Sequence, residues 1–327
     1  MLSRVANTVY WMNRYLERAE NYARFIDVNY NLSLDMPHDQ TESWKPLIVT
    51  TGDWALFEQL HGKESRSAAI EFLGFQQENP SSIFNCITNA RENARSIRPD
   101  ITREIWEQIN AMYYAVQEGR QKKLWQRKDP RPFFNEVKKG CQLLYGMFDV
   151  ILARNDSWHF GNLGRLIERA DKTSRILDVK FHLLHTETDA HAFPTELVQA
   201  VALLKSASAY DMYRKKYGRL SIRNITEFLI FDTDFPRAMH RCLMIAEKSL
   251  ITVSKGRPGP KTGAEKELGM LRAQLEYSDV SDISPESMHE FLDNFQQKLN
   301  QISDAIFNDF FSIANIQQQT AEGYFSQ

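Results

Sequence analysis

The stretch RYLERAENYARFIDV (14–28) recurs without a gap as RLIERADKTSRILDV (165–179), 151 residues further along the chain. The identical pairs are Arg14/Arg165, Glu17/Glu168, Arg18/Arg169, Ala19/Ala170, Arg24/Arg175, Asp27/Asp178 and Val28/Val179. A second block keeps nearly the same spacing: FLGFQQENPSSIFNCITNA (72–90) falls on FLIFDTDFPRAMHRCLMIA (228–246) at an offset of 156. That register pairs Phe72/Phe228, Pro80/Pro236 and Cys86/Cys242, and upstream Gly62/Gly218 and Ser65/Ser221. Two collinear blocks, separated by a five-residue insertion, imply a duplicated unit: residues 1–327 form one body of two repeats, 1–156 and 157–327. Two related halves of one chain pack about a pseudo-twofold axis for the same reason that homodimers do, since a self-complementary patch is present twice.

The period inside the repeated stretch is that of a helix. Val9, Met12, Leu16, Ala19, Ala23 and Ile26 recur at intervals of three and four over 9–28. Similar patterns run through 82–97, 101–118, 133–152, 159–185, 196–216, 236–253, 264–276 and 287–312, with breaks at prolines between them. Pro80 and Pro236 read as first-turn residues, with Asn79 and Asp234 as caps. The β-branched runs Leu47–Thr51 and Phe228–Phe231 would suit strands, but two isolated runs cannot make a sheet. The expectation is an all-α fold, a long-helix bundle built from two pseudo-symmetric repeated halves.

Composition narrows the function classes. Forty Lys+Arg against 42 Asp+Glu leave a net charge of -2, which gives no global attraction to nucleic acid or an anionic membrane. No apolar run approaches the ~20 residues of a membrane span. The charged N-terminal stretch lacks the apolar core of a secretory signal, so the expected location is the cytoplasm. Cys86, Cys141 and Cys242 lie far apart, as small core residues rather than disulfide partners would.

The repeated helix also carries a charged side: Arg14, Glu17, Arg18, Glu20, Asn21, which reads as exposed, and Arg24. Arg14–Glu17 and Glu20–Arg24, and their copies Arg165–Glu168 and Asp171–Arg175, stand at the separations where side chains meet along a helix. Arginine and glutamate recur here without drifting to lysine or aspartate, and the guanidinium fork suits bidentate pairing. Three readings follow: a polar seam holding Glu17 and Glu168 among six arginines, a solvated salt-bridge face, and a ligand-binding or catalytic cleft.

These residues resemble the bacterial alpha-E family, a helical domain named for its Glu-Arg pair. The similarity is carried by SRVANTVYWMNRYLERAENYARFIDVNYNL (3–32), NPSSIFNCITNARENARSIR (79–98), WHFGNLGRLIERADKTSRILDVKFHLL (158–184), SASAYDMYRKKYGRLS (206–221) and FLIFDTDFPRAMHRCL (228–243). The resemblance implies an all-α protein encoded beside a circularly permuted ATP-grasp ligase and a transglutaminase-like peptidase, with a proteasome-like hydrolase in some settings. It also implies characteristic positions at Glu17, Arg18, Arg91, Glu92, Asn93, Arg95, Trp158, His159, Glu168 and Arg169, as function or as helix packing.

Other features are weaker. ARENAR (90–95) is present in one repeat only, as a single functional site would be, although helix packing accounts for it as well. His159 titrates near neutrality in principle, but beside Trp158 at a helix start it reads as a capping or core-edge residue. No metal is expected. Glu17 and Glu168 lack the histidine three residues on that di-iron bundles use, Glu286–His289 is a lone instance, and His182 and His185 form an isolated pair. GRPGPKTG (256–263) departs from a phosphate loop and reads as a basic linker. The basic stretches RQKKLWQRKDPR (120–131) and YRKKYGRLSIR (213–223) read as solvated helix ends or, through Arg214, Lys215, Lys216 and Arg219, as a surface that grips phosphates or docks an acidic partner.

Three functional expectations result. The first is an accessory or substrate-presenting component of an ATP-grasp-dependent peptide or amide ligation system, without cofactor or catalysis of its own, whose partners are the ligase and the transglutaminase-like protein and whose ligand is a peptide or amino acid. The second is an enzyme acting on the peptide or amide product through a Glu/Arg cleft, with Glu17 and Glu168 as a carboxylate pair in a closed pocket, which requires one carboxylate of raised pKa. The third is a helical scaffold whose Glu-Arg pairs are purely structural.

Overall fold

The computed structural model describes residues 3–35, 44–185, 192–255 and 260–312. Among them the chain forms fourteen α-helices and no strand. The two long helices, α1 (Ser3–Asp35) and α8 (Asp156–His185), pack against each other along the centre of the molecule. Contacts advance together along both: Gly161 lies against Val9 and Asn13, Gly164 against Tyr10, and Arg169 pairs with Glu17. The two helices therefore run parallel. Gly164 sets their spacing, because a Cβ there would sit 2.4 Å from the Tyr10 carbonyl oxygen.

Around this pair the remaining helices are α2 (Lys45–Thr51), α3 (Trp54–His61), α4 (Arg66–Gly74), α5 (Ile83–Ser96), α6 (Arg103–Gln121) and α7 (Arg131–Ile151) from the first half of the chain. The second half supplies α9 (Ala192–Ser206), α10 (Tyr210–Tyr217), α11 (Ile222–Ile230), α12 (Met239–Ser254), α13 (Gly263–Glu276) and α14 (Met288–Ile306). Helices α5 and α7 flank α1, with α6 packed on both, and α12 and α14 flank α8, with α13 packed on both. The short α2 lies mainly on α8, and α9 lies on both α8 and α1. The apolar stripe of each helix faces inward, burying Met12, Leu16 and Ile26 of α1, Ile87 and Ala90 of α5, Leu163 and Leu177 of α8, and Leu243 and Ala246 of α12. Burial of this kind, roughly 25 cal/mol per Å² of apolar surface, is what holds a helix bundle together.

Local chemistry moves several boundaries from where periodicity puts them. Helix α5 begins three residues after Pro80, because Ser82 is its cap and accepts the Asn85 N–H, while Asn79 Oδ1 accepts from Ser81 N within the preceding turn. Helix α12 likewise begins at Met239, with Asp232 instead of Asp234 accepting the backbone N–H groups of Asp234 and Phe235. The expected helix 196–216 is two: α9 and α10 are separated by a turn in which Ser208 takes a left-handed backbone conformation, φ 50°. Helix α14 ends at Ile306 and passes into a π-turn, Phe307–Phe311. Leu47–Thr51 and Phe228–Phe231 are helical, apart from the closing turn at Phe231. Of the linker 256–263, residues 256–259 lie outside the described residues, and Thr262 caps α13 in a reciprocal capping box with Glu265.

Candidate functional site

The charged side of α1 does not face water. Glu17, Glu20 and Glu168 are fully buried, as nearly are Arg14, Arg24 and Asn21. A helix buried all round must pair its charges internally, since desolvating an unpaired carboxylate costs several kcal/mol. The pairing crosses between α1 and α8. Arg169 makes a two-pronged bond to Glu17 (Nε–Oε1 2.9 Å, Nη2–Oε2 2.8 Å), and Arg18 makes the same bond to Glu168 (Nε–Oε1 2.6 Å, Nη2–Oε2 3.0 Å). Each glutamate therefore takes its arginine from the other helix.

Further cations surround both carboxylates. Arg237 Nη1 donates to Glu17 Oε1 at 2.9 Å, and Asn21 Nδ2 donates to the same oxygen at 3.1 Å. Glu168 receives Arg14 Nε at 2.9 Å, with Lys172 Nζ 3.5 Å away. The expected Arg14–Glu17 and Arg165–Glu168 pairs along each helix do not form; Arg14 crosses to Glu168, and Arg165 turns to Asn162 Oδ1 at 2.7 Å and stacks over Tyr145. The pairs four apart do form, as Glu20–Arg24 and as Asp171–Arg175 at 3.0 Å. Glu20 is shared with Arg237 Nη2 at 2.7 Å, so the network runs unbroken from Arg169 through Glu17, Arg237 and Glu20 to Arg24.

Burial alone would raise the pKa of both glutamates. Arg169 and Arg237 around Glu17, and Arg18, Lys172 and Arg14 around Glu168, outweigh it and hold both well below the ordinary carboxylate range. Neither is the carboxylate of raised pKa that an acid–base site at this seam requires. The oxygens of both are occupied by bidentate donors, and a bound arginine fork leaves no room for a substrate proton.

The other candidates lie apart from the seam. Arg91 bonds Asn110 Oδ1 at 2.7 Å, pairs with Glu92 and stacks on Tyr113, while the half-exposed Glu92 also holds Arg95; these residues make a surface network between α5 and α6, and the half-buried Asn93 lies on the same helix. Trp158 donates its indole N–H to the Phe148 carbonyl at 3.0 Å, and His159 approaches Ser249 Oγ at 3.5 Å, its pKa lowered by burial. Both hold the start of α8. Arg214, Lys215, Lys216 and Arg219 are exposed on and just after α10, and Lys216 pairs with Asp232 at 2.7 Å. His289 bonds Asp178 at 2.8 Å, and the side chains of His182 and His185 lie outside the described ones. Among the described residues no three His, Cys, Asp or Glu side chains converge as a metal ion would need.

Arg237 and Lys172 are the seam residues that pattern reading passed over. Arg237 stands in the second repeat where Ser81 stands in the first, and a cation replacing a serine beside a shared proline was the available signal. Lys172 stands where Asn21 does. The cation thus sits on α8 beside one glutamate and on the turn before α12 beside the other.

The matching family model is described as a predicted alpha-helical domain with a conserved ER motif, matched over residues 1–311, and this chain carries a Glu-Arg dipeptide on each of its two central helices. The chain belongs to the Alpha-E family. Curated relatives of this Alpha-E chain include an uncharacterized protein of Mycobacterium bovis and uncharacterized proteins of two Mycobacterium tuberculosis strains, each 21% identical over 261 residues. The match takes in 72% of the Alpha-E chain but spans only 28% of each relative's length. No solved structure matches it.

Proposed function

We propose that this Alpha-E chain is a non-catalytic, cytoplasmic module that assists an ATP-grasp-dependent peptide or amide ligation system, binding the ligase or holding its substrate, and that the Glu-Arg seam is its structural axis. The observation that carries this reading is the state of Glu17 and Glu168: buried, ionised and locked by arginines, they hold helices together and have no free oxygen for chemistry. Support for an assisting role comes from the relatives, in which the matched region is a minor part of a much longer chain and so works joined to other polypeptide. The ligase and its transglutaminase-like neighbour are the partners that the family resemblance implies.

The same reading takes the chain as two repeats about a pseudo-twofold axis along the α1–α8 pair. Helices α3 and α10, and α4 and α11, start and stop 156 residues apart, and Gly62 and Gly218 close their helices with matching left-handed φ of 67° and 72°. The crossed pairs Glu17–Arg169 and Arg18–Glu168 are the exchange that an isologous contact makes.

The test is to recover the tagged chain from its native lysate and identify what accompanies it by mass spectrometry. The ligase is expected to co-purify, and to be lost when Arg214 and Lys215 become Glu in a chain whose melting temperature is unchanged. Recovery of the chain alone overturns the assisting role.

A further inference from the structure

Outside the seam, a cleft of about 590 Å³ is bounded by α1, α7 and the α9–α10 turn. That is within the range of sites for small organic ligands, ~300–1,000 Å³. Its floor includes Arg24, which is almost wholly buried, pairs with Glu20, and leaves its Nε without a hydrogen-bond partner. The Glu-Arg network therefore surfaces here. On the walls, Lys139 and Lys205 carry positive charge with no ion pair or hydrogen bond within the described residues, and Asp211 and Asn135 are equally uncommitted. Lys138, by contrast, is neutralised by Asp27 at 2.6 Å.

A second hollow of about 180 Å³ opens between α1 and α9, lined by Leu32, Leu197, Val198 and Val201, and it shares Val28, Asn31 and Lys205 with the cleft. The lining therefore offers a ligand two ammonium groups without an ion pair, of which Lys205 lies over the Tyr210 ring, a buried guanidinium, the Asp211 carboxylate, amide side chains and an adjoining apolar recess. Phosphate or another dense anion would use the cations but would face Asp27 and Asp211 and leave the recess empty.

We propose that this cleft binds a short peptide with free termini, its carboxylate at Lys139 and Lys205 over Arg24, its ammonium at Asp211, and an apolar side chain in the recess between α1 and α9. The assignment deepens the substrate-holding half of the function proposed above, and it rests on that reading only for what becomes of the bound peptide. Because Arg24 ends the chain of pairs that begins at Arg169, a carboxylate drawn to Arg24 competes with Glu20 for it and so reaches the seam.

Isothermal titration of the whole chain with trileucine, triglycine, C-terminally amidated trileucine and inorganic phosphate tests this. Trileucine is expected to bind more tightly than triglycine, and to weaken about tenfold on amidation or in K139Q/K205Q, the worth of one charge-assisted hydrogen bond. Asp211→Asn is expected to weaken trileucine but leave N-acetyl-trileucine unchanged. Both lysines are exposed, so the variants keep the wild-type circular dichroism and melting temperature. No saturable heat with trileucine, an affinity unchanged in K139Q/K205Q, or phosphate binding more tightly than the peptide overturns the proposal. The titration needs no ligase: binding without co-purification removes the ligation reading alone, and co-purification without binding removes the cleft alone.

Discussion

Glu17 is held by Arg169, Arg237 and Asn21, and removing it leaves Arg169 buried without its anion and Arg237 with Glu20 alone. Glu17→Ala is therefore expected to cost about 3–5 kcal/mol in urea or guanidinium unfolding, and Glu17→Gln less, because the amide keeps one acceptor. Acid should act in the same direction. Both seam glutamates have folded pKa values below those of the unfolded chain, so the stability they confer is complete above the unfolded value, about 4.3, and drains away as pH falls through and below it. A melting temperature that stays flat from pH 6 down to pH 3 would contradict this. The cysteines obey burial instead: with no compensating cation bonded to them, Cys86 and Cys242 are pushed up to about 12 and Cys141 is also raised, so a thiol reagent should leave the native protein unlabelled and label all three residues once it is denatured.

At the scale of the helix, the close approach of α1 and α8 depends on what Gly164 lacks. Gly164→Ala places a methyl group against backbone, which cannot move aside as a side chain tip can, and should cost about 1–3 kcal/mol by equilibrium unfolding. The same substitution at Gly146, with open space around it, should be neutral or slightly stabilising. The periodicity of Val9 to Ile26 was enough to place α1, and the Arg and Glu residues kept in both copies marked the seam. Direction of pairing was not legible, because i, i+3 spacing on one helix says nothing of a parallel partner whose arginine lies closer; Arg14 thus passes over Glu17 for Glu168. Asn21 reads as exposed for the same reason, since a polar residue on a polar face carries no mark of the helix that covers it. The break at Ser208 was hidden too, as a left-handed serine has no composition signal where its counterpart, Gly52, has one.

For the molecule as a whole, each half completes the other's charge. A chain of 1–156 alone would carry Glu17 without Arg169 and Arg237, and 157–327 alone would carry Glu168 without Arg14 and Arg18. Expressed singly, the halves are expected to aggregate or to self-associate through the same surface; co-expressed, they should elute together in size-exclusion chromatography as one particle of the intact chain's size. Two separately stable monomers that ignore each other would contradict this. The crossed pairs also act on translation. Were α8 to slip by one turn toward the C-terminal end of α1, Glu168 would leave Arg14 and stand between Arg18 and Tyr22, and Arg169 would leave Glu17 for Asn21, stranding buried charges without their partners. The central pair therefore behaves as a keyed shaft: it admits bending and slight rotation but no axial slide, and a push delivered to one end of α1 is carried to α8 without loss of register.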